Sequence, residues 1–243
     1  MRFEHAPQIR STYPELVAGT ITVDGVDADA DVTTAVARHL ATARVRLAGG
    51  TEASFPEIQA WRRVFARMGL PPTRYRCAAE SLLRRFRRDG ALPRLHPLVD
   101  LCNAVSLAYA IPIAVLDVER IDGDLEVRPA RGDEEYLTLA GDPEHPEPGE
   151  VIFADGAGRA HSRRWTSRQS GWSAIRATSR SVLIVVEGVH ARAATDVPHL
   201  LDTLVVELAD GWSVWGRAAL LPTVGGVLSA AGRTAPAPAA PPP

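Results

Sequence analysis

Apolar residues recur at intervals of three and four positions through much of the first half of the chain, which predicts helices that each bury one stripe. The pattern places helices over residues 32–47, 55–68 and 76–88, and a fourth from Pro97 to just before Pro112. The third helix has an arginine-rich outer face and a stripe of four apolar residues, Ala79, Leu82, Leu83 and Phe86. This half of the chain is therefore predicted to be mainly helical.

After Asp117 the spacing of apolar residues changes to two, which is typical of strands separated by tight turns. Predicted strands, one of them near the N-terminus, cover residues 16–23, 113–116, 136–139, 151–154, 160–165, 182–187 and 212–215. Asp122-Gly123 predicts a hairpin turn, and residues 198–208 return to helical spacing. Together these elements predict an α+β fold, a mostly antiparallel β-sheet with flanking helices. One domain is expected over residues 1–233, followed by a disordered Pro/Ala tail at 234–243.

Three polar residues form a row on the otherwise apolar fourth helix: Asp100, Asn103 and Ser106. A buried amide without hydrogen-bond partners costs about 1–3 kcal/mol, so Asn103 must either pair with nearby backbone or face a pocket. Asp100 lies near the N-terminus of the helix, where a carboxylate is favourable. The spacing leaves both explanations open.

The composition excludes several kinds of chemistry. All 27 basic residues are arginine, which excludes mechanisms that use a lysine base or a lysine Schiff base. Cys77 and Cys102 have no partners at metal-ligand spacing, so we expect neither a metal nor a cofactor. The sequence contains no glycine-rich phosphate loop, serine nucleophile elbow or His-Glu-x-x-His motif. It also lacks a signal-peptide core and an apolar run of about 20 residues, which predicts a cytoplasmic protein that does not contact membranes.

Opposite charges are segregated along the chain. Residues 62–94 carry ten arginines against two acidic residues, and residues 159–180 add six arginines without any acid. Residues 117–150 carry twelve acidic residues against three arginines. The basic segments favour a polyanionic partner, because phosphate contacts come mainly from arginine and lysine. Solvated helix faces beside a solvated acidic hairpin are the alternative explanation.

Several separated stretches resemble one known family. The sequence PLVDLCNAVSLAYAIPIAVLD at 97–117 is similar to a helix and strand of the tRNA-editing domain in the phenylalanyl-tRNA synthetase beta subunit. RYRCAAESLLRRF precedes it and ERIDGDLEVRPARGDEEYLTLAGDPEHPEPGEVIFADGAGRAH follows it, in the order seen in that domain and in its free-standing relatives. The resemblance covers about residues 55–190.

The resemblance implies a pocket for the aminoacyl acceptor end of a tRNA, in which the ester of a wrongly attached amino acid is hydrolysed in trans. On this hypothesis the catalytic residues are Asn103, which would orient the substrate, and Gln169 or Ser170, which would assist the water. The expected substrate-binding residues are Cys102, Asp100, Ala114 and Trp165, where core packing is the alternative for the tryptophan. The expected RNA-binding residues are Arg74, Arg76, Arg84, Arg87, Arg88, Arg163 and Arg164.

Two departures from the family's pattern keep a second function open. Ala114 stands where the synthetase has a histidine, and Gln169 stands near the position of an acidic pocket residue. These substitutions favour a non-catalytic module that binds tRNA or a free amino acid. No class II aminoacylation signature is found, so the chain is not expected to charge tRNA.

Overall fold

The computed structural model describes residues 1–222, and the predicted tail at 234–243 lies outside the described residues. Within residues 1–222 the chain forms six α-helices, namely α1 (Pro7–Thr12), α2 (Thr33–Ala48), α3 (Pro56–Arg67), α4 (Ala78–Asp89), α5 (Pro97–Tyr109) and α6 (Ala193–Trp212). The longer strands are β2 (Val17–Asp24), β3 (Ile113–Asp117), β4 (Leu125–Pro129), β7 (Val151–Ala154), β8 (Arg159–Arg163), β10 (Ser181–Gly188) and β11 (Arg217–Leu220). The shorter strands are β1 (Phe3–His5), β5 (Glu135–Leu137), β6 (Pro143–Glu144) and β9 (Arg168–Gln169).

The predicted α+β class with flanking helices is confirmed, but the strands form two sheets instead of one. One sheet has the order β11-β2-β10-β3 and is antiparallel throughout. The other has the order β1-β4-β7-β8-β5-β6, with β9 paired to β8. In this second sheet β1 pairs with β4, and β5 with β8, in parallel. The sheets are therefore mostly antiparallel, as predicted.

The four-stranded sheet is buried on both faces. On one face Val115 and Ile184 belong to a core shared with α5 and α6. On the other face Leu116 and Val185 belong to a core shared with α3, α4 and the second sheet. Successive residues of a strand point to opposite faces, so β3 and β10 send alternate side chains into two different cores. This alternation explains why both strands are almost continuously apolar.

The helix boundaries follow their stop signals closely. The buried face of α4 contains Ala79, Leu83 and Phe86, as the spacing predicts. Gly90 ends α4 in the left-handed conformation, at φ 72°, and its N–H bonds to the Phe86 carbonyl. Helix α6 begins five residues earlier than the predicted 198, with Pro198 inside it. The buried residues Ala193 and Val197 in its first turns offset the hydrogen bond that proline cannot donate.

One turn prediction and one strand prediction are corrected. Gly123 forms a turn at φ 67°, yet β3 and β4 on either side belong to different sheets, so the turn is a connection and not a hairpin. The predicted strand at 212–215 is also wrong, because α6 continues to Trp212 and ends at Ser213, in a left-handed conformation. The strand β11 follows after Gly216, where a side chain would lie 2.4 Å from Ile21 Cγ2. Among residues 1–222, no helix combines the length and apolarity needed to cross a bilayer.

Candidate functional site

A cavity of about 50 Å³ lies where the two sheets meet beside the N-terminus of α4. Its wall comprises residues of β3, β7, β8 and β10 and the segment after β8, namely Ala78, Pro112, Ile113, Ala114, Leu116, Phe153, His161, Ser162, Trp165, Thr166, Ser167, Arg168, Gln169, Val185 and Glu187. A water molecule needs roughly 10–15 Å³ of such space, so the cavity has room for a few waters or a small chemical group. Most of the wall is apolar.

Three of the predicted site residues meet in this wall. Ala114 comes from β3, Trp165 from the segment after β8, and Gln169 from β9. The Gln169 side-chain amide donates a hydrogen bond of 2.6 Å to the Val115 carbonyl, which fixes its orientation. Within residues 1–222 its Oε1 atom makes no hydrogen bond, so an acceptor is left free beside the cavity.

The predicted residues of α5 lie elsewhere. Cys102 packs into the core on the opposite face of the four-stranded sheet, where burial raises the pKa of its thiol to about 12. Asp100 Oδ1 accepts a hydrogen bond from the Leu95 N–H at 2.9 Å, at the start of the helix. Asn103 is half-buried and makes no side-chain hydrogen bond within the described part of the chain. None of these three residues belongs to the cavity wall, so the prediction that this helix lines a pocket stays a prediction.

Ser170 and Ser106 are both engaged with backbone groups. Ser170 is fully buried, and its hydroxyl bonds to the Leu137 carbonyl at 3.0 Å and to the Trp172 N–H at 3.2 Å. Ser106 Oγ bonds to the Ile111 carbonyl at 2.6 Å. Both hydroxyls satisfy backbone atoms near the ends of strands or helices, and neither belongs to the cavity wall. Ser170 is thereby corrected from a candidate catalytic residue to a structural one.

Glu187, which was not predicted from the sequence, is the one carboxylate among the wall residues, and it is 1% exposed. Its Oε1 atom lies 2.6 Å from His5 Nε2 and accepts a hydrogen bond from Trp165 Nε1 at 2.9 Å. A single acidic residue inside the apolar sequence SVLIVVEG was the available signal. Its partner His5 was not predictable, because it lies on the short strand β1, 182 residues away.

Trp165 has an unusual backbone. Arg164 and Trp165 both have left-handed conformations, at φ 50° and 57°, which bulky residues adopt only at a cost in free energy. The Trp165 N–H bonds to the Val151 carbonyl, and its ring lies edge-on to Trp61 and Tyr13, with centroids 5.2 and 5.0 Å away. These contacts hold the strained conformation and aim the indole N–H at Glu187.

His161 is completely buried, and both of its ring nitrogens have partners. Nε2 lies 3.1 Å from Asp155 Oδ2, and Nδ1 lies 2.8 Å from Ser173 Oγ. Burial alone would raise the pKa of Asp155, but hydrogen bonds from His161 and from the backbone of Arg159 and Asp122 outweigh it and hold the pKa at about 2. Nε2 therefore faces a carboxylate and Nδ1 faces the Ser173 hydroxyl, so both ring nitrogens are engaged. Ser173 is also buried and lies outside the cavity wall, so these residues do not form an accessible nucleophile.

Arg163 is corrected from an RNA contact to a structural ion pair. It is 6% exposed, and its guanidinium lies 2.6 Å from Glu144 and 2.8 Å from Glu150. Hydrogen bonds to Glu150 and Glu144 raise its pKa further above the usual range. With both carboxylates in place and almost no surface, this guanidinium cannot reach a phosphate.

Several other predicted RNA-binding arginines are also ion-paired. They are Arg76 with Glu80, Arg84 and Arg87 with Glu52, and Arg88 with Asp89. The excess positive charge of residues 62–94 is thus partly neutralised by ion pairs within the fold. Arg74 and Arg164 differ, because within residues 1–222 neither makes an ion pair. Their guanidinium carbons lie 5.2 and 4.8 Å from the centre of the Tyr75 ring.

We call Arg74, Tyr75 and Arg164 the arginine–tyrosine cluster. It lies beside the cavity, because Arg164 directly precedes the wall residue Trp165 and Tyr75 is three residues from the wall residue Ala78. A hydrogen bond of 2.7 Å from the Ala78 N–H to the Thr166 carbonyl joins the two segments. Of the predicted basic residues, Arg74 and Arg164 are the best placed to meet a ligand at the cavity.

One group of residues has the composition of a metal site. Single ligand atoms of Glu57, His190 and Asp196 lie within 4.8 Å of one another. Glu57 is held by Arg46 at 2.9 Å, and Asp196 accepts from His190 at 3.0 Å and from Arg192 at 3.3 Å. The two guanidinium groups already balance the two carboxylates.

Comparison with known proteins assigns the family. The family description "B3/4 domain" matches residues 60–199, more than half of the chain. The chain belongs to the B3/4 domain family. The match includes every residue of the cavity wall, from Ala78 to Glu187, whereas His5 lies outside it.

Two relatives of this B3/4 domain are beta subunits of phenylalanine–tRNA ligase. The chain is 33% identical over 66 residues to the subunit of Photorhabdus laumondii and 36% identical over 76 residues to that of Cereibacter sphaeroides. These matches span 27% and 31% of the chain but only 8% and 9% of the relatives. A solved N-terminal fragment of the phenylalanyl-tRNA synthetase beta subunit from Pyrococcus horikoshii aligns with 91% of the chain and 54% of its own length, at 11% identity and a TM-score of 0.49.

Proposed function

We propose that this B3/4 domain binds the aminoacyl end of a tRNA at the cavity and hydrolyses the ester of a mischarged amino acid in trans. The observation that supports the proposal most directly is the convergence of Ala114, Trp165 and Gln169. Ala114 and Gln169 were expected at a pocket from the family resemblance, and Trp165 was expected to stack on the ligand. Ala114 comes from β3 and the other two from the stretch after β8, and all three line one cavity. The small, mostly apolar space suits a compact group better than an extended chain.

Hydrolysis of an aminoacyl ester needs a positioned water molecule more than a strong nucleophile, because the ester is already activated. The water oxygen adds to the carbonyl carbon, the bond from that carbon to the ribose oxygen breaks, and the ribose oxygen leaves with a proton. In our proposal the free Oε1 atom of Gln169 accepts a hydrogen bond from this water. Its fixed side-chain amide supplies the preorganisation that makes such positioning effective.

The arginine–tyrosine cluster is the proposed contact for the RNA. Two guanidinium groups without ion-pair partners, at least within the described residues, are suited to the phosphates next to the terminal nucleotide. The Tyr75 ring, whose centre lies 5.2 and 4.8 Å from the two guanidinium carbons, adds an aromatic side chain of the kind on which unpaired bases stack. The cavity would then hold the amino acid and the cluster the polynucleotide.

Binding without hydrolysis is the second candidate function. The observation that favours it is that groups able to act as a base are already hydrogen-bonded within the protein. Both His161 nitrogens and the Ser170 hydroxyl have such partners. Ala114 adds to this, because an alanine cannot take part in proton transfer. A domain of this kind would hold the aminoacyl end and leave the ester intact.

The test is incubation of the purified protein with a panel of correctly and incorrectly charged tRNAs, with release of the amino acid followed over time. We expect selective release, reduced at least about tenfold in Gln169→Ala but retained in Gln59→Ala, which changes an exposed glutamine of α3. Binding of charged tRNA without release would establish the second candidate. Failure to bind or hydrolyse any charged tRNA would contradict both.

A further inference from the structure

The Glu187 carboxylate is a charged group in an apolar setting. Its neighbours in the wall include Leu116, Phe153 and Val185, none of which offers a side-chain hydrogen bond. Burying a carboxylate is costly unless it is paired and fully hydrogen-bonded. Both observed partners of Glu187, the His5 and Trp165 rings, contact the same oxygen atom, Oε1. No hydrogen bond to Oε2 is found within residues 1–222.

The fixed neighbours of this carboxylate reach only one of its two oxygen atoms. The Trp165 indole donates to Oε1, and the His5 ring contacts that same atom. The wall contains one arginine, Arg168, but its side chain is 40% exposed and is paired with Glu144 at 3.1 Å. Glu187 therefore presents Oε2 at the buried side of the cavity, as an acceptor atom that lacks a partner in the described structure.

We infer that Glu187 binds the protonated amino group of the ligand. An ammonium group has three donors and one positive charge, so it satisfies Oε2 and neutralises the site at once. It is also about as small as a water molecule, which fits the available volume. The expected ligand is a primary amine that carries a compact apolar body, matched to the apolar wall.

This inference rests on the proposed function only for the identity of that ligand, which would be the α-amino group of the aminoacyl moiety. It adds a selection rule. An amino group that has been acylated carries no charge and is bulkier, so it would leave the carboxylate unpaired. The site would therefore accept aminoacyl-tRNA and reject tRNA whose amino acid is N-formylated or part of a peptide.

Two small probes test the inference without tRNA or an ester bond. L-alaninamide presents a free ammonium group, and N-acetyl-L-alaninamide is its uncharged counterpart. Binding is measured by titration calorimetry and by the NMR signal of the Trp165 indole N–H, which donates to Glu187. We expect the free amine to bind about tenfold to 100-fold more tightly than the acetylated probe, as charged hydrogen bonds imply. Equal affinities, or no binding of the free amine at millimolar concentration, would overturn the inference.

A pair of variants tests the residue itself. Glu187→Gln keeps the shape and an acceptor for Trp165 and His5 but removes the charge, so the preference for the free amine should be lost. Glu119→Gln, at an exposed glutamate, should keep it. A Glu187→Gln protein that folds and still prefers the free amine contradicts the inference. If that variant does not fold, the comparison of the two probes on the unmodified protein still decides. Because the probes cannot be deacylated, their result is independent of whether the domain hydrolyses charged tRNA.

Discussion

The Asp155 carboxylate makes hydrogen bonds to three parts of the chain. Oδ1 accepts from the backbone N–H groups of Ala157 and Arg159, at 3.0 and 2.9 Å. Oδ2 accepts from the Asp122 N–H and faces His161 Nε2, both at 3.1 Å. The residue thus fixes the turn between β7 and β8, the connection between the sheets, and the His161 ring in the cavity wall.

Replacement of Asp155 by asparagine should therefore lower stability in a pH-dependent way. The asparagine side chain would offer one acceptor oxygen in place of two, so we expect a loss of about 1–3 kcal/mol at pH 7. The folded pKa, about 2, is below the ordinary value of 3.8. The contribution of the carboxylate is therefore complete above the ordinary value and is lost as the pH falls through the folded value. The difference between wild type and variant should narrow as the pH falls from about 4 towards 2.

Denaturant unfolding at pH 7, 5 and 3 would measure this difference. Asp133→Asn, at an exposed aspartate, is the control and should change little. A difference that stays constant across this pH range would show that the charge of Asp155 is not what stabilises the fold.

Residue-level predictions from sequence succeed or fail according to where the partner lies. The family resemblance brought Ala114 and Gln169 forward, and both line the cavity. Spacing on α5 put Asn103 in a polar row, but it could not show that the cavity wall contains no residue of this helix. Arg163 was predicted to contact RNA because it lies in a basic segment. Nothing near it in the sequence shows that Glu144 and Glu150 enclose its side chain.

At the scale of elements, α4 has an outer face whose arginines are not equivalent. Arg87 Nε donates to Glu52 at 2.9 Å, and Glu52 is 1% exposed. The next residue, Arg88, bonds to Asp89 on the surface. Adjacent residues on one helix thus serve a buried and an exposed carboxylate.

Arg87→Ala should consequently cost more stability than Arg88→Ala. Removing a donor from a buried carboxylate is expected to cost about 1–3 kcal/mol, although Arg84 remains near Glu52. Breaking an exposed pair is expected to cost at most about 1 kcal/mol. Both variants remove the same side chain from the same helix, so differences in helix propensity cancel. Urea unfolding midpoints compare them, and equal losses would contradict the role assigned to Glu52.

Elements were predictable where the periodic pattern is long and its boundaries carry proline or glycine. The helix beginning at Pro97 and the one ending at Gly90 are examples. Strand β1 was missed, because three residues are too few to show a period. The strand predicted at 212–215 failed for another reason, since a run of bulky residues does not reveal that Ser213 adopts a left-handed conformation.

At the scale of the whole molecule, the distribution of charge differs from what residue counts indicate. Ion pairs inside the fold engage much of the arginine in the segment 62–94, including Arg62, Arg67, Arg76, Arg84, Arg85, Arg87 and Arg88. The charge available to a polyanion is therefore smaller and more localised than the sequence implies. The arginine–tyrosine cluster is where we expect it to act.

Arg74→Gln and Arg164→Gln should each weaken tRNA binding and reduce its dependence on salt. Each phosphate contact contributes roughly 0.7–0.9 to the slope of log K against log salt concentration, so each variant should lower the slope by about that amount. Arg88→Gln, whose arginine is already paired with Asp89, is the control and should leave the slope nearly unchanged. Fluorescence anisotropy at several salt concentrations measures the slopes. An unchanged slope in both cluster variants would place the RNA elsewhere.

The pairing of β2 with β10 has a consequence for synthesis on the ribosome. Asp24 is paired with Ser181, so β10, one of the two central strands of the four-stranded sheet, is made long after its partner β2. At typical rates of translation the delay is roughly 8–30 s. During that time the backbone of β2 lacks β10 as a pairing strand, and its apolar side chains remain exposed to other chains. The nascent protein is therefore expected to depend on chaperones that cover such segments until residues 181–188 emerge.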